Sequence, residues 1–200
     1  MYPVRLLKWI GHAPTLNLSY QDRRGKYATS ITACQRPYYL VSTAKFLAGL
    51  IIGFGLGVYY LPILTAEKGL SETELAELTS SAQAQTEAQS QLRQGTFVRD
   101  LEGSDAFHWG DGTIYVSDER IWLDGSIAPG PDCRLYLTKG QYTTRDGFLA
   151  AKSDALQIAP IKAYKNFSVM VPDGVDIADY DAVIIWCEAF SAFVTSASIR

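Results

Sequence analysis

Redox and metal-binding side chains are scarce in this 200-residue chain, which carries 3 cysteines, 2 histidines and 2 methionines. There is no Cys-x-x-Cys, so thioredoxin-like chemistry and covalent haem attachment through Cys-x-x-Cys-His both lack their motif. There is no His-Glu-x-x-His for a catalytic zinc and no nucleophile elbow, which removes support for hydrolase chemistry. An excess of positive charge is missing too. The 18 Lys and Arg against 21 Asp and Glu leave a net charge of -3, so nucleic acid is not an expected partner. Disorder is excluded in turn by a hydrophobic content of 48% and a mean hydropathy near zero.

The charge that is present is unevenly spread. Residues 1–45 hold seven basic side chains and one acidic, residues 46–66 hold none, residues 67–94 hold two and five, and the remainder holds nine and fifteen. The chargeless block reads FLAGLIIGFGLGVYYLPILTA, about the 20 apolar residues that cross a bilayer as a helix. Lys45 and Glu67 bound it, and Tyr38, Tyr39, Tyr59 and Tyr60 stand where interfacial aromatics concentrate. The expected partner of this segment is the lipid bilayer. The basic leader belongs on the cytoplasmic side, which gives a single-pass anchor in the cell (plasma) membrane with an extracytoplasmic C-terminal domain. A cleaved signal peptide is the competing reading, but the leader exceeds a normal n-region and Leu64-Thr65-Ala66 lacks the small residue wanted before a cut.

Gly49, Gly53 and Gly57 recur every fourth residue on one helix face, the small-xxx-small pattern that lets membrane helices approach and supports self-association. Gly53-x-Gly55-x-Gly57 is not a dinucleotide fingerprint, because no strand precedes it. The leader, 1–45, has no sustained periodicity and is read as irregular. Residues 67–94 open with Ser71-Glu-Thr-Glu74, a capping box, and continue without Gly or Pro to Gln94, so a helix is expected. Leu75, Leu78, Ala82 and Leu92 form only a thin apolar stripe, the mark of a solvated helical spacer.

From residue 95 to 200 the texture changes to short β-rich runs, at 96–101, 113–117, 120–123, 133–138, 167–171, 182–190 and 193–199. Turns are expected at Gly110-Asp111-Gly112, Asp124-Gly125, Pro129-Gly130-Pro131-Asp132, Asp146-Gly147 and Pro172-Asp173-Gly174. Residues 152–165 fit a short helix or an edge strand ending at Pro160. The fold class is mostly β, an antiparallel β-sandwich preceded by a transmembrane helix and the helical spacer.

Cys34 falls in the leader, whereas Cys133 and Cys187 fall on the exported side, where disulfides persist if the compartment is oxidising. Strand alternation puts Cys133 with Leu135 and Leu137, and Cys187 with Val183 and Ile185, so both cysteines face the core. A bridge between them closes a loop of about 54 residues, for which chain entropy gives about 4 kcal/mol. Two separate buried thiols are the alternative. Asp173, Asp176, Asp179 and Asp181 lack calcium-loop spacing and read as a solvated acidic turn. Trp109, Trp122 and Trp186 read as core.

Several pieces occur in order. Gly95-Thr-Phe is followed by Phe107-His108-Trp109 before Gly112-Thr113-Ile114, then by Gly130-Pro131-Asp132 before Arg134-Leu-Tyr-Leu. Val175-Asp-Ile-Ala-Asp-Tyr180 then precedes Val183-Ile-Ile-Trp186-Cys187-Glu-Ala-Phe190. Together they resemble the electron-transfer DM domain family, the DM-thirteen or Skeletor-type domain (DM13), over residues 95–200. The resemblance implies an extracytoplasmic β-sandwich with a redox role around a cysteine that matches Cys187, and a histidine that matches His108. Cys133 departs from the aliphatic residue many members carry there. On chemistry alone Glu188 next to Cys187 is expected to raise its pKa and blunt its reactivity. His108 with Cys187 offers a haem its two axial ligands, against the plainer reading of a packed histidine. No metal site is expected. The function read from all this is an electron-transfer or redox-linked one centred on Cys187, with a redox or envelope protein as partner. The alternative is a non-catalytic adhesion or envelope-interaction module with structural cysteines.

Overall fold

The computed structural model describes residues 20–21, 27–28, 36–86 and 92–199. Cys34, His12 and most of the leader lie outside them. The chain divides into two compact units, Met1–Ile51 and Ile52–Arg200. In the first, β1 (Tyr20–Gln21) and β2 (Tyr27–Ala28) form an antiparallel pair. The long helix α1 (Arg36–Leu64) runs through 29 residues. Its segment Val41–Leu64, 24 residues at a mean hydropathy of 2.0, is the one helix among the described residues long and apolar enough to cross a membrane. The helix starts ten residues ahead of the chargeless block because nothing from Arg36 to Lys45 but Pro37 resists helix, and Pro is tolerated in a first turn. Gly49, Gly53 and Gly57 each have open space where a Cβ would stand.

In the second unit α2 (Glu72–Thr86) follows a Ser71 cap. Ser71 donates its amide to Glu74 Oε2 at 2.8 Å while Glu74 donates its own amide to Ser71 Oγ at 3.3 Å, so the capping box forms as the sequence predicts. The expected thin stripe of this helix is not left to water. Leu75 and Ala82 are buried with Trp122, and Trp122 Nε1 donates to Thr79 Oγ1 at 3.3 Å.

Eight strands then build two antiparallel four-stranded sheets. They are β3 (Arg93–Phe97), β4 (Gly110–Val116), β5 (Arg120–Ile127), β6 (Cys133–Thr138), β7 (Leu156–Ile161), β8 (Ser168–Met170), β9 (Ala182–Cys187) and β10 (Ala192–Ser198). One sheet has the order β3-β4-β5-β8 and the other β10-β9-β6-β7. Ile114, Ile121 and Leu123 of the first sheet share a core with Leu135, Leu137, Val183 and Ile185 of the second. This is the sandwich the strand pattern predicts. The outer face of the second sheet is also dry. The short helix α3 (Arg145–Ala151) lays Phe148 over Tyr136, Ile184 and Trp186. Covered on both faces, all six residues of β9 are buried, and its sequence AVIIWC loses the polar alternation of a half-exposed strand.

Three expected turns are corrected. Gly110-Asp111-Gly112 and Asp124-Gly125 lie inside β4 and β5, where Gly112 pairs with Gly125. Both have positive φ, +122° and +151°, and a Cβ on Gly112 would come within 2.2 Å of the Asp124 carbonyl oxygen. These glycines serve close strand approach, not chain reversal. Gly112→Ala is therefore expected to destabilise the domain by about 2 kcal/mol or more, measured by urea unfolding. A loss under about 0.5 kcal/mol, that of an ordinary surface change, would contradict the steric account. Asp146-Gly147 opens α3 instead of a turn, because Thr144 caps it through the Gly147 amide at 3.2 Å. Residues 152–165 combine both expected readings: a 3-10 turn, Lys152–Asp154, then β7 on the sheet edge with Pro160 inside it.

Candidate functional site

The site lies where β6 begins and β9 ends. Cys133 is the first residue of β6, Cys187 the last of β9, and the two are direct partners in the antiparallel ladder. Beside them the Glu188 amide donates to the Asp132 carbonyl at 2.9 Å, so the cysteines occupy a non-hydrogen-bonded pair, the position at which opposed Cα atoms approach to about 4.5 Å. That is the short end of what a disulfide spans. In the structure both are free thiols, each almost fully buried. No bridge joins them in this structure, and strand alternation turns both sulfurs inward.

The loop between β5 and β6 forms a lip over the pair. A Cβ on Gly130 would lie 2.8 Å from Cys133 Sγ and 3.7 Å from Cys187 Sγ, so both sulfurs pack beneath this one glycine. Tyr164 Oη ties the lip down by donating to the Gly130 carbonyl at 2.8 Å. Burial, then the neighbouring cysteines, push the Tyr164 hydroxyl above its ordinary pKa. It stays protonated to make that bond.

The two thiols differ in acidity. Cys187 accepts a hydrogen bond from the Cys133 thiol, and although burial opposes ionisation, amide donors from Phe190 and Asp132 add to that bond and hold its pKa below the ordinary thiol value. Cys133 is pushed the other way, by its bond to Cys187, by burial and by nearby negative charge. Cys187 is therefore the more acidic thiol of the pair and Cys133 the less acidic. The expectation that Glu188 raises the Cys187 pKa is overturned. Successive strand residues point to opposite faces, and the Glu188 carboxylate faces away, bound by Lys152 Nζ at 2.6 Å and by Tyr136 Oη. Burial raises its pKa, but these partners outweigh it and leave the carboxyl below its usual value.

His108 stands on the same rim. Asp105 accepts the amides of Phe107 and His108 at 2.7 and 2.8 Å, and His108 Nδ1 lies 3.0 Å from Asp105 Oδ2. Burial works against ionisation of Asp105, yet the bonds from His108 and Phe107 lower its pKa. When His108 carries charge it favours the Cys187 thiolate. His108 and Cys187 share a cleft, and the Asp105 contact at Nδ1 leaves Nε2 of the histidine free, but Cys187 is 1% exposed beneath Gly130. With Cys187 covered in this way, the two are not set out as an open axial pair for haem. Among the described residues no group of three His, Cys, Asp or Glu side chains converges on a metal position. In the acidic turn Asp176 caps the 3-10 segment Ile177–Asp179 through the Ala178 amide at 2.9 Å.

A model of the family described as electron transfer DM13 matches residues 97–199. The chain belongs to the DM13 family. No curated protein and no solved structure matches it. The matched span runs from the end of β3 through β10 and contains every residue of the site, from Asp105 to Cys187, while α1 and α2 stand outside it. Reading the sequence singled out Cys133, Cys187 and His108 for this domain, and the structure brings all three to one end of it. It missed Gly130, Tyr164 and Asp105. A glycine flanked by Pro129 and Pro131, and an aspartate three residues before the histidine, were the available signals.

Proposed function

We propose that this chain is a single-pass, membrane-anchored DM13 protein whose Cys133–Cys187 pair passes two electrons by cycling between dithiol and disulfide. The observation that carries this reading is the cross-strand pairing of two free thiols with oppositely shifted acidities. In the oxidised form a thiolate of an envelope protein dithiol attacks the Cys133–Cys187 disulfide and forms a mixed disulfide. The partner's second thiolate then displaces the domain's cysteine. One disulfide bond breaks and one forms, the partner loses two electrons, and both cysteines return to thiols. The apolar α1 helix supports anchoring, with the basic leader on the cytoplasmic side and the DM13 domain outside.

Equilibrating the full chain in glutathione buffers of graded potential, then counting thiols by alkylation and mass, tests the reading. Cys133 and Cys187 are expected to disappear together in one two-electron transition. A pair that stays reduced across the range would overturn the couple and leave an envelope-interaction module whose cysteines only pack.

A further inference from the structure

We propose that the oxidant of the reduced pair is a lipid-soluble quinone, taken up between the DM13 domain and the last turns of α1. This rests on the redox couple proposed above and names its second substrate. The segment Val41–Leu64 is 24 residues long, about 36 Å of helix against about 30 Å of hydrocarbon. It outruns the hydrocarbon by about one turn, and Tyr59 and Tyr60, in edge contact at 5.3 Å, mark the interface near its C-terminal end.

The last turns of the helix wall the redox site. On one side of the Gly130 lip, Gly55, Val58 and Tyr59 share a cleft of about 230 Å³ with His108, Cys187 and Phe190. On the other side, Val58, Leu61 and Pro62 share one of about 500 Å³ with Cys133 and Tyr164. The placement is not that of a loose tether. Just past the helix the Glu67 amide donates to the Lys162 carbonyl at 2.9 Å and the Leu70 amide to the Asn166 carbonyl at 2.8 Å, stitching the connection to the loop after β7. Phe107 and Phe190 are 67% and 57% exposed at the cleft mouth, and Phe107 lies edge-on to Tyr59 at 6.4 Å. A mostly apolar cleft with few polar groups, aromatic flanks and a bilayer-level opening fits a planar ring on an isoprenoid tail. It does not fit a charged, water-soluble carrier.

The step balances. The Cys133 and Cys187 thiols give up two electrons and two protons and form one S–S bond, and the quinone takes both electrons and both protons and leaves as quinol. Joined to the exchange above, the domain carries electrons from protein dithiols to the membrane quinone pool.

The test uses the reduced full chain in lipid nanodiscs, without oxygen, with decylubiquinone as the probe. Quinol formation is followed by ultraviolet absorbance and thiol loss by alkylation. One quinol per disulfide is expected. Val58→Trp, which fills both clefts, should slow the reaction at least about tenfold, with Gly55→Leu as a second plug. Leu50→Trp, elsewhere on the helix, should leave it unchanged. A pair that oxidises in glutathione buffer but leaves decylubiquinone untouched overturns the quinone assignment and keeps the couple, as does an undiminished rate in both plugged variants. A pair that oxidises in neither overturns the couple itself.

Discussion

The single thiol left at Cys187 by Cys133→Ser is expected to react with a small disulfide at pH 7 at least about tenfold faster than the single thiol left at Cys133 by Cys187→Ser. The two variants are near mirror images in composition but not in environment. In the first, Cys187 keeps the amides of Phe190 and Asp132, which lower its pKa together with its bond from residue 133. A serine hydroxyl can still donate in place of the lost thiol. In the second, Cys133 has no such amide donors, and burial with the charge of Asp132 still favours its neutral form. The pH dependence follows with a definite sign. A lowered pKa means that the thiolate persists as pH falls below the ordinary thiol value, so the Cys133→Ser rate should stay high into mildly acid solution. The Cys187→Ser rate should rise only in base. Neither variant can form the intramolecular bridge, so the two-electron transition should vanish from both. Equal rates and equal pH profiles would show that the backbone amides do not set the acidity of Cys187.

Those amides mark the limit of what sequence could show. The bilayer-length run was legible because it needs no tertiary information: twenty apolar residues without charge carry their meaning in the chain itself. The run from Cys133 to Thr138 was equally plain, and its parity placed the cysteine inward. The acidity of Cys187 was misread because Glu188 is its neighbour in sequence but not in space. Strand alternation sends the carboxylate to Lys152 and Tyr136, while the donors that matter come from the turn after β9 and the lip before β6. The glycines of β4 and β5 misled for a similar reason. Gly112 and Gly125 look like turn residues until the ladder sets them opposite each other. The α2 stripe looked solvated because its cover, Trp122, lies far along the chain. Each of these three misses concerns a residue whose role is defined by a partner on another element.

The same non-local logic makes Trp186→Ala the most damaging core substitution expected here, at about 3–5 kcal/mol. Trp186 is fully buried beside Cys187, with its ring 5.0 Å from Phe148 of α3 and Lys152 Nζ 5.3 Å from its centroid. Phe148 in turn contacts Tyr136 at 5.3 Å, so the indole is the centre of the layer that covers the outer face of β9. Truncation removes its transfer free energy and leaves a cavity that strands on either side cannot collapse to fill. Against a typical total of 5–15 kcal/mol, that loss takes a large share of the stability of the domain. The effect should reach the site, because β9 holds Cys187 opposite Cys133 only while both of its faces are covered. Chemical denaturation should show the drop, and Trp186→Phe, which keeps an aromatic ring against Phe148, should recover most of it. In Trp186→Ala the thiol pair should also lose its single cooperative transition at denaturant concentrations where the wild-type domain is still folded. A loss below about 1 kcal/mol would mean that α3 does not close this face, and that the register of the cysteines depends on the main core alone.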